Sequence, residues 1–189
     1  MPRIVKSRLA YDGYAKVTVL TLADDRGEEH SREVVAFGQS ACVLPYDSIR
    51  KVALIVRLPR APLILEGVEA NLIEAPAGMI ADGESAETAI RREAMEEAGL
   101  RLTTLEPIAV CWPSPGVLAE RSHLFLAPYS ASDRVAPGGG LAEDHEAIVP
   151  EEVSLSELWR AAESGRLQDL KTLCLVLALY ARRPDLFAA

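Results

Sequence analysis

Residues 85–99, SAETAIRREAMEEAG, form a helix with two faces that need different surroundings. Ser85 is suited to cap its start and Gly99 to end it, so the predicted span is Ser85 to Ala98. One face carries Ala86, Ala89, Ile90, Ala94 and Ala98, small and apolar, suited to close packing on a sheet. The other carries Glu93, Glu96 and Glu97 at i, i+3 and i, i+4 spacing. Like charges so placed cost about 0.2–0.5 kcal/mol per pair. They also lie near the C-terminal end, where the helix dipole disfavours anions. Helix stability alone does not place three carboxylates there; the cluster reads either as a solvated acidic face or as a site for a bound cation. Oxygen-only donors select Mg²⁺, Mn²⁺ or Ca²⁺ over zinc. Mg²⁺ is commonly held by one or two carboxylates plus substrate phosphates, which points to phosphate-ester or pyrophosphate chemistry.

The charge of the whole chain supports a local site. Among 189 residues, 20 Lys and Arg face 28 Asp and Glu, a formal charge of −8. Residues 78–100 hold six acids and two bases, and residues 143–152 hold five acids and no Lys or Arg. Outside those two segments the bases and acids nearly balance, a pattern of one or two sites rather than a solubilising surface. An acidic chain with a pI near 5.0 argues against binding nucleic acid through its overall field. At 49% hydrophobic residues the chain is not disordered. Its first residues, MPRIVKSRLAYDGYAK, have no apolar run of signal-peptide length, and Leu173 to Ala181 is too short to span a bilayer. Cys42, Cys111 and Cys174 are odd in number and have no His at metal spacing, so they read as reduced thiols in a cytoplasmic protein.

Short β-branched stretches at Arg3–Ala10, Ala15–Leu22 and Ser31–Phe37 alternate with Asp12-Gly13 and Asp24-Asp25-Arg26-Gly27, hairpin signals that predict an antiparallel N-terminal sheet. Further strands are predicted at Ser40–Leu44, Lys51–Leu58, Asn71–Glu74, Leu105–Trp112 and Ser122–Ala127. Pro137 and Gly138 to Gly140 read as a flexible turn into the second acidic segment. Ser154-Leu-Ser-Glu157 has the form of a capping box for a helix to about Ser164. A final helix from Gln168 to Arg183 is predicted to bury Leu170, Leu173, Cys174, Leu177 and Tyr180. The order is α+β rather than βαβ alternation.

Residues 78–100 resemble the Nudix box, GX5EX7REUXEEXGU with U aliphatic, through Gly78, Glu84, Arg92, Glu93, Ala94, Glu96, Glu97, Gly99 and Leu100. Seven positions demand one residue type, so a chance match is on the order of one in 10⁸ to 10⁹. The resemblance implies a Nudix hydrolase with an α/β/α sandwich and mixed sheet. It implies Glu93, Glu96 and Glu97 as Mg²⁺ ligands, with Mn²⁺ a substitute and the Ala77 carbonyl an additional ligand. Glu84 and Arg92 would brace the loop before the helix, and Gly78 and Gly99 would allow the framing turns.

Beyond the box, Leu72 to Gly78, Ser114-Pro-Gly116 with Glu120, and His123 to Leu126 are similar to the ADP-ribose and GDP-mannose pyrophosphatase branch. Pro115 marks the ADP-ribose members; Gly138-Gly-Gly140 is closer to the GDP-mannose members. That branch implies homodimers through an exchanged N-terminal sheet, hence residues 1–40 as a dimerisation segment and residues 41–189 as the hydrolase domain. Substrate contacts are expected from Arg60, Glu74, Ser114, Gly116 and Glu120. Leu58-Pro59 departs from the Gln and aromatic residue usual there. The general base is expected in the second acidic segment, Glu146 first and Glu143 second, with Asp144 and His145 as further options.

The expected activity is Mg²⁺-dependent hydrolysis of a nucleoside diphosphate linked to a sugar, with ADP-ribose (to AMP and ribose 5-phosphate) ahead of GDP-mannose. No nucleic acid or membrane partner is expected. A catalytically silent nucleotide-binding protein is the alternative of another class, against which the intact Arg92 to Glu97 run argues.

Overall fold

A computed structural model describes residues 1–69, 71–141 and 147–188. The chain divides into two units, one formed by Met1–Gln39 with Cys111–Arg121 and the other by Ser40–Val110 with Ser122–Ala189.

In the first unit, β1 (Arg3–Asp12), β2 (Lys16–Ala23) and β3 (Glu29–Ala36) form an antiparallel sheet in that order. The turn between β2 and β3 is set by Asp24, whose Oδ1 accepts the Arg26 and Glu28 N–H groups at 2.8 and 2.9 Å. Segment 111–121 is stitched to β3, since Val35 donates to the Val117 carbonyl and accepts from the Ala119 N–H, both at 2.9 Å. Every residue of β1 is exposed, including Ile4, Leu9 and Tyr11.

The second unit is an α+β sandwich around a six-stranded sheet. β4 (Gln39–Asp47), β5 (Val52–Arg57), β6 (Ala77–Met79), β7 (Glu106–Cys111), β8 (Arg121–Pro128) and β9 (Val149–Ser154) take the order β7-β8-β4-β5-β9, with β6 also paired to β4. Among the described residues four α-helices complete it: α1 (Ala61–Leu65), α2 (Ala86–Ala98), α3 (Leu155–Glu163) and α4 (Leu170–Arg182). Helix α2 begins where the Ser85 hydroxyl accepts the Thr88 N–H and ends at Gly99, whose φ of 67° is left-handed. Its Ala89, Ile90, Ala94 and Ala98 are fully buried against Ala41, Val43, Leu54, Phe125 and Ala127. Burial of Ile90 alone is worth roughly 1.5–3 kcal/mol. Three alanines on that stripe let the helix lie close to the sheet, which sets how near its carboxylates come to β6.

Four sequence expectations need correction. Asn71 and Glu74 form only isolated bridges to Pro59 and Val56, because Pro76 interrupts the ladder and the strand proper is β6. The half of the second acidic segment that includes Glu151 and Glu152 is strand β9, paired to β5 in register from Val52↔Ser154 to Arg57↔Val149. Helix α4 buries Thr172, Leu175, Val176 and Leu179, whereas Leu170 and Leu177 are exposed. Its sequence is apolar nearly all round, so periodicity does not choose a face. The glycines at 138–140 are anchored, as described below. Among the described residues no helix is long and apolar enough to cross a membrane.

Candidate active site

One guanidinium organises the acidic face of α2. Arg92 Nη1 donates to Glu93 Oε1 at 2.8 Å and to Glu96 Oε2 at 3.1 Å. Its Nε and Nη2 donate to the two Glu84 oxygens at 3.3 and 3.2 Å, and Nη2 also reaches the Met79 carbonyl at 3.1 Å. Arg92 thus joins the loop before the helix, the end of β6 and two carboxylates of the cluster. The bidentate bond from Arg92, with the Ala81 N–H added, holds the Glu84 carboxyl below its ordinary pKa.

Glu97 is held differently. It is 6% exposed, and its Oε2 accepts the Ala77 N–H at 3.0 Å. The backbone leading to Ala77 is fixed by the Pro76 carbonyl, which accepts from the Val43 N–H at 3.0 Å. Gly78, next in the chain, has no room for a Cβ, because the Glu93 carboxylate lies against its backbone. A Cβ there would push the end of the flexible Glu93 side chain aside.

The C-terminal carbonyls of α2 are also occupied. Gly139 N–H donates to Glu97 O at 2.8 Å and Gly140 N–H to Glu96 O at 3.0 Å. Gly138, Gly139 and Gly140 have φ of 74°, 111° and 78°, and a Cβ on Gly138 would strike the Glu97 carbonyl. The expected flexible turn is therefore a cap on the carboxylate helix, and three successive positive φ values explain why it is all glycine.

Arg60 and Glu74 form a two-point ion pair, Nε to Oε1 and Nη2 to Oε2, both at 2.7 Å. Glu74 is 3% exposed and is held on both sides by backbone bonds to Val56 at 2.8 and 3.0 Å. The Glu74 bond raises the Arg60 pKa, so the guanidinium is fixed as well as charged. Ser114, Gly116 and Glu120 belong to the other unit. There the Ser114 carbonyl accepts the Val117 and Leu118 N–H groups at 3.1 and 2.8 Å, and Val34, Trp112, Pro115, Gly116, Val117 and Leu118 line a cavity of about 310 Å³. Glu143, Asp144, His145 and Glu146 lie outside the described residues. Glu151 and Glu152, from the same acidic run, are engaged elsewhere: Arg57 donates to Glu151 at 2.8 Å and Arg50 donates twice to Glu152 at 2.7 and 2.8 Å.

A buried polar group that the sequence did not mark is bonded to the backbone at Ala75. Asp169, Lys171 and Thr172, at the start of α4, bond to one another and to the Ala75 N–H. The signal for it was an Asp three residues before a Thr at a helix start, an N-cap pattern.

Glu93, Glu96 and Glu97 offer only oxygen, which fits a hard divalent cation. Among the described residues no three His, Cys, Asp or Glu side chains are already gathered closely enough to hold a metal ion together.

Comparison with known proteins identifies the family. The NUDIX domain family matches residues 36–174. The chain is 35% identical over 164 residues to a GDP-mannose pyrophosphatase of Cronobacter sakazakii, covering 86% of this chain and 84% of that one. It is 32% identical over 182 residues to a GDP-mannose pyrophosphatase of Salmonella arizonae, 94% of each chain. Among solved structures its fold is similar to that of an ADP compounds hydrolase, with a TM-score of 0.77 over 97% of this chain and 95% of the other, at 15% identity.

Proposed function

This chain belongs to the NUDIX domain family of hydrolases, and we propose that it cleaves the pyrophosphate bond of a nucleoside diphosphate linked to a sugar. The observation that carries this reading is the carboxylate face of α2, clamped by Arg92 and completed by a buried Glu97 held on the Ala77 N–H. Members of the family generally use a divalent metal. Mg²⁺, or Mn²⁺ in its place, held by Glu93, Glu96, Glu97 and the Ala77 carbonyl, would supply neutralisation of the diphosphate and acidification of water.

The protein's own groups do the rest. Arg92 pairs with both Glu93 and Glu96 and so offsets their mutual repulsion on the helix face. Arg60, oriented by Glu74, offers a fixed cation to an anionic or hydroxylated part of the substrate. Ser114, Gly116 and Glu120 are proposed as further substrate contacts. Glu146, with Glu143 second, takes the proton from the attacking water as its oxygen bonds to one phosphorus and the bridging P–O bond breaks. The products are a nucleoside monophosphate and a sugar phosphate.

GDP-mannose is the favoured substrate, supported by the names of relatives matching 86% and 94% of this chain. ADP-ribose is the second reading, supported by Pro115, fifteen residues past the motif's end at Leu100. Parallel kcat/KM measurements on the two compounds, with product identification, test this. A preference for GDP-mannose giving GMP and mannose 1-phosphate supports the first reading; the reverse preference, with AMP and ribose 5-phosphate, replaces it. Hydrolysis of neither, with tight nucleotide binding, contradicts both and leaves a binding protein.

A homodimer through residues 1–40 belongs to the same proposal, supported by exposed Ile4, Leu9, Tyr11 and Tyr14 on a small sheet. So does a cytoplasmic location, supported by three free cysteines.

A further inference from the structure

The first turn of α4 touches the site through the backbone. Asp169 caps the helix: its Oδ2 accepts the Thr172 N–H at 2.8 Å and the Thr172 hydroxyl at 2.6 Å, while Oδ1 accepts Lys171 Nζ at 2.8 Å. Thr172 is fully buried. With its hydroxyl proton given to Asp169, its Oγ1 is left to accept, and it takes the Ala75 N–H at 2.7 Å. Burial disfavours the Asp169 charge, but Lys171 and the Thr172 donors outweigh it and hold the carboxyl below its ordinary pKa, so the far end of the chain is an anion.

Ala75 begins a short, stiff stretch. Pro76 fixes its own φ and has no N–H to exchange partners with. The Ala75 N–H goes to Thr172, the Pro76 carbonyl to Val43, and the Ala77 N–H to Glu97. A displacement at Ala75 is therefore carried through a locked residue to Ala77. Apolar residues of similar volume often replace buried ion pairs without loss. What apolar residues could not supply is a fixed acceptor for the Ala75 N–H.

We propose that Thr172 and Asp169 are positioning residues for the hydrolysis, holding Ala75 so that the Ala77 N–H aims Glu97. This rests on the reading that Glu97 and Ala77 form the cation end of the site.

Thr172→Val keeps the volume and removes the hydroxyl; Thr172→Ser keeps the hydroxyl. In the full chain without metal, amide exchange at Ala77, read by NMR, speeds about tenfold or more in T172V and stays at the wild-type rate in T172S. At saturating Mg²⁺ and nucleotide sugar, kcat falls about 30-fold in T172V with KM changed less than about threefold, and T172S restores it. A folded T172V with wild-type Ala77 exchange and kcat within about twofold overturns the proposal. Should T172V not fold, Asp169→Asn replaces it: it weakens the far end and lowers kcat about fivefold, and wild-type kcat and Ala77 exchange in D169N overturn the proposal equally. Glu97→Gln is measured alongside. Full turnover in E97Q overturns the site reading and this inference with it, whereas loss in E97Q beside an unaffected T172V overturns this inference alone.

Discussion

Glu93 and Gly78 are packed so closely that the Glu93 carboxylate occupies the space a Cβ on residue 78 would need. The conformation of β6 and the position of a proposed cation ligand are thus one structural fact.

Gly78→Ala consequently displaces Glu93 or the strand. The clash is with the far end of a flexible side chain, so Glu93 yields at small cost in stability, but a misplacement near 1 Å of a proposed ligand can cost about 10²-fold in rate. The expected outcome is a folded protein with kcat lowered about 100-fold, checked by steady-state kinetics beside thermal unfolding. Unchanged kcat would mean that Glu93 takes no part.

Repulsion among Glu93, Glu96 and Glu97 gives a measurement without substrate. A cation bound only by the native state raises Tm by mass action, about 2.7 kcal/mol at 100 times Kd. Millimolar Mg²⁺ is expected to raise the Tm of wild type more than that of Glu93→Gln. Equal shifts would mark the acidic face as merely solvated.

The glycine cap predicts a different phenotype. In Gly138→Ala a Cβ meets the Glu97 carbonyl and the residue is strained at φ of 74°. The cap on Glu96 and Glu97 is lost, so Tm falls and kcat falls with it. A flexible tether would tolerate alanine with both unchanged.

Away from the site, Arg50 donates to Asp47 at 2.6 Å and twice to Glu152, which also accepts the Tyr129 hydroxyl at 2.7 Å. Bonds from Arg50 lower the Glu152 pKa; Asp47 is lowered too, because the bonds from Arg50 and Ile49 outweigh its burial. A depressed carboxylate stabilises the fold above its unfolded pKa, and that stability is lost as pH falls through the folded value. Arg50→Met is expected to cost about 1 kcal/mol at pH 7, since Arg50 is partly exposed. The cost shrinks as pH drops from the ordinary carboxylate range to below it. A cost that stays constant with pH would exclude this network as its source.

Helix α2 was legible in the sequence because its cap, its stop, its alanine stripe and its carboxylates each point the same way. The acids after Gly140 were not separable. Glu151 and Glu152 look like their neighbours in composition, and only the pairing of β9 with β5 brings them to Arg57 and Arg50. The buried face of α4 was misread because leucines surround the helix; the Asp169 cap and the Thr172 bond to Ala75 accompany the face that is buried. Such long-range backbone bonds leave no periodic trace in the chain.

The central claim is that the buried carboxylate held on the Ala77 N–H belongs to a hydrolytic metal site. The direct measurement is kcat of Glu97→Gln on a nucleotide sugar at saturating Mg²⁺, with folding verified. The predicted result is a loss of about 10³-fold or more, roughly 4 kcal/mol of transition-state stabilisation. Turnover near that of wild type would contradict it.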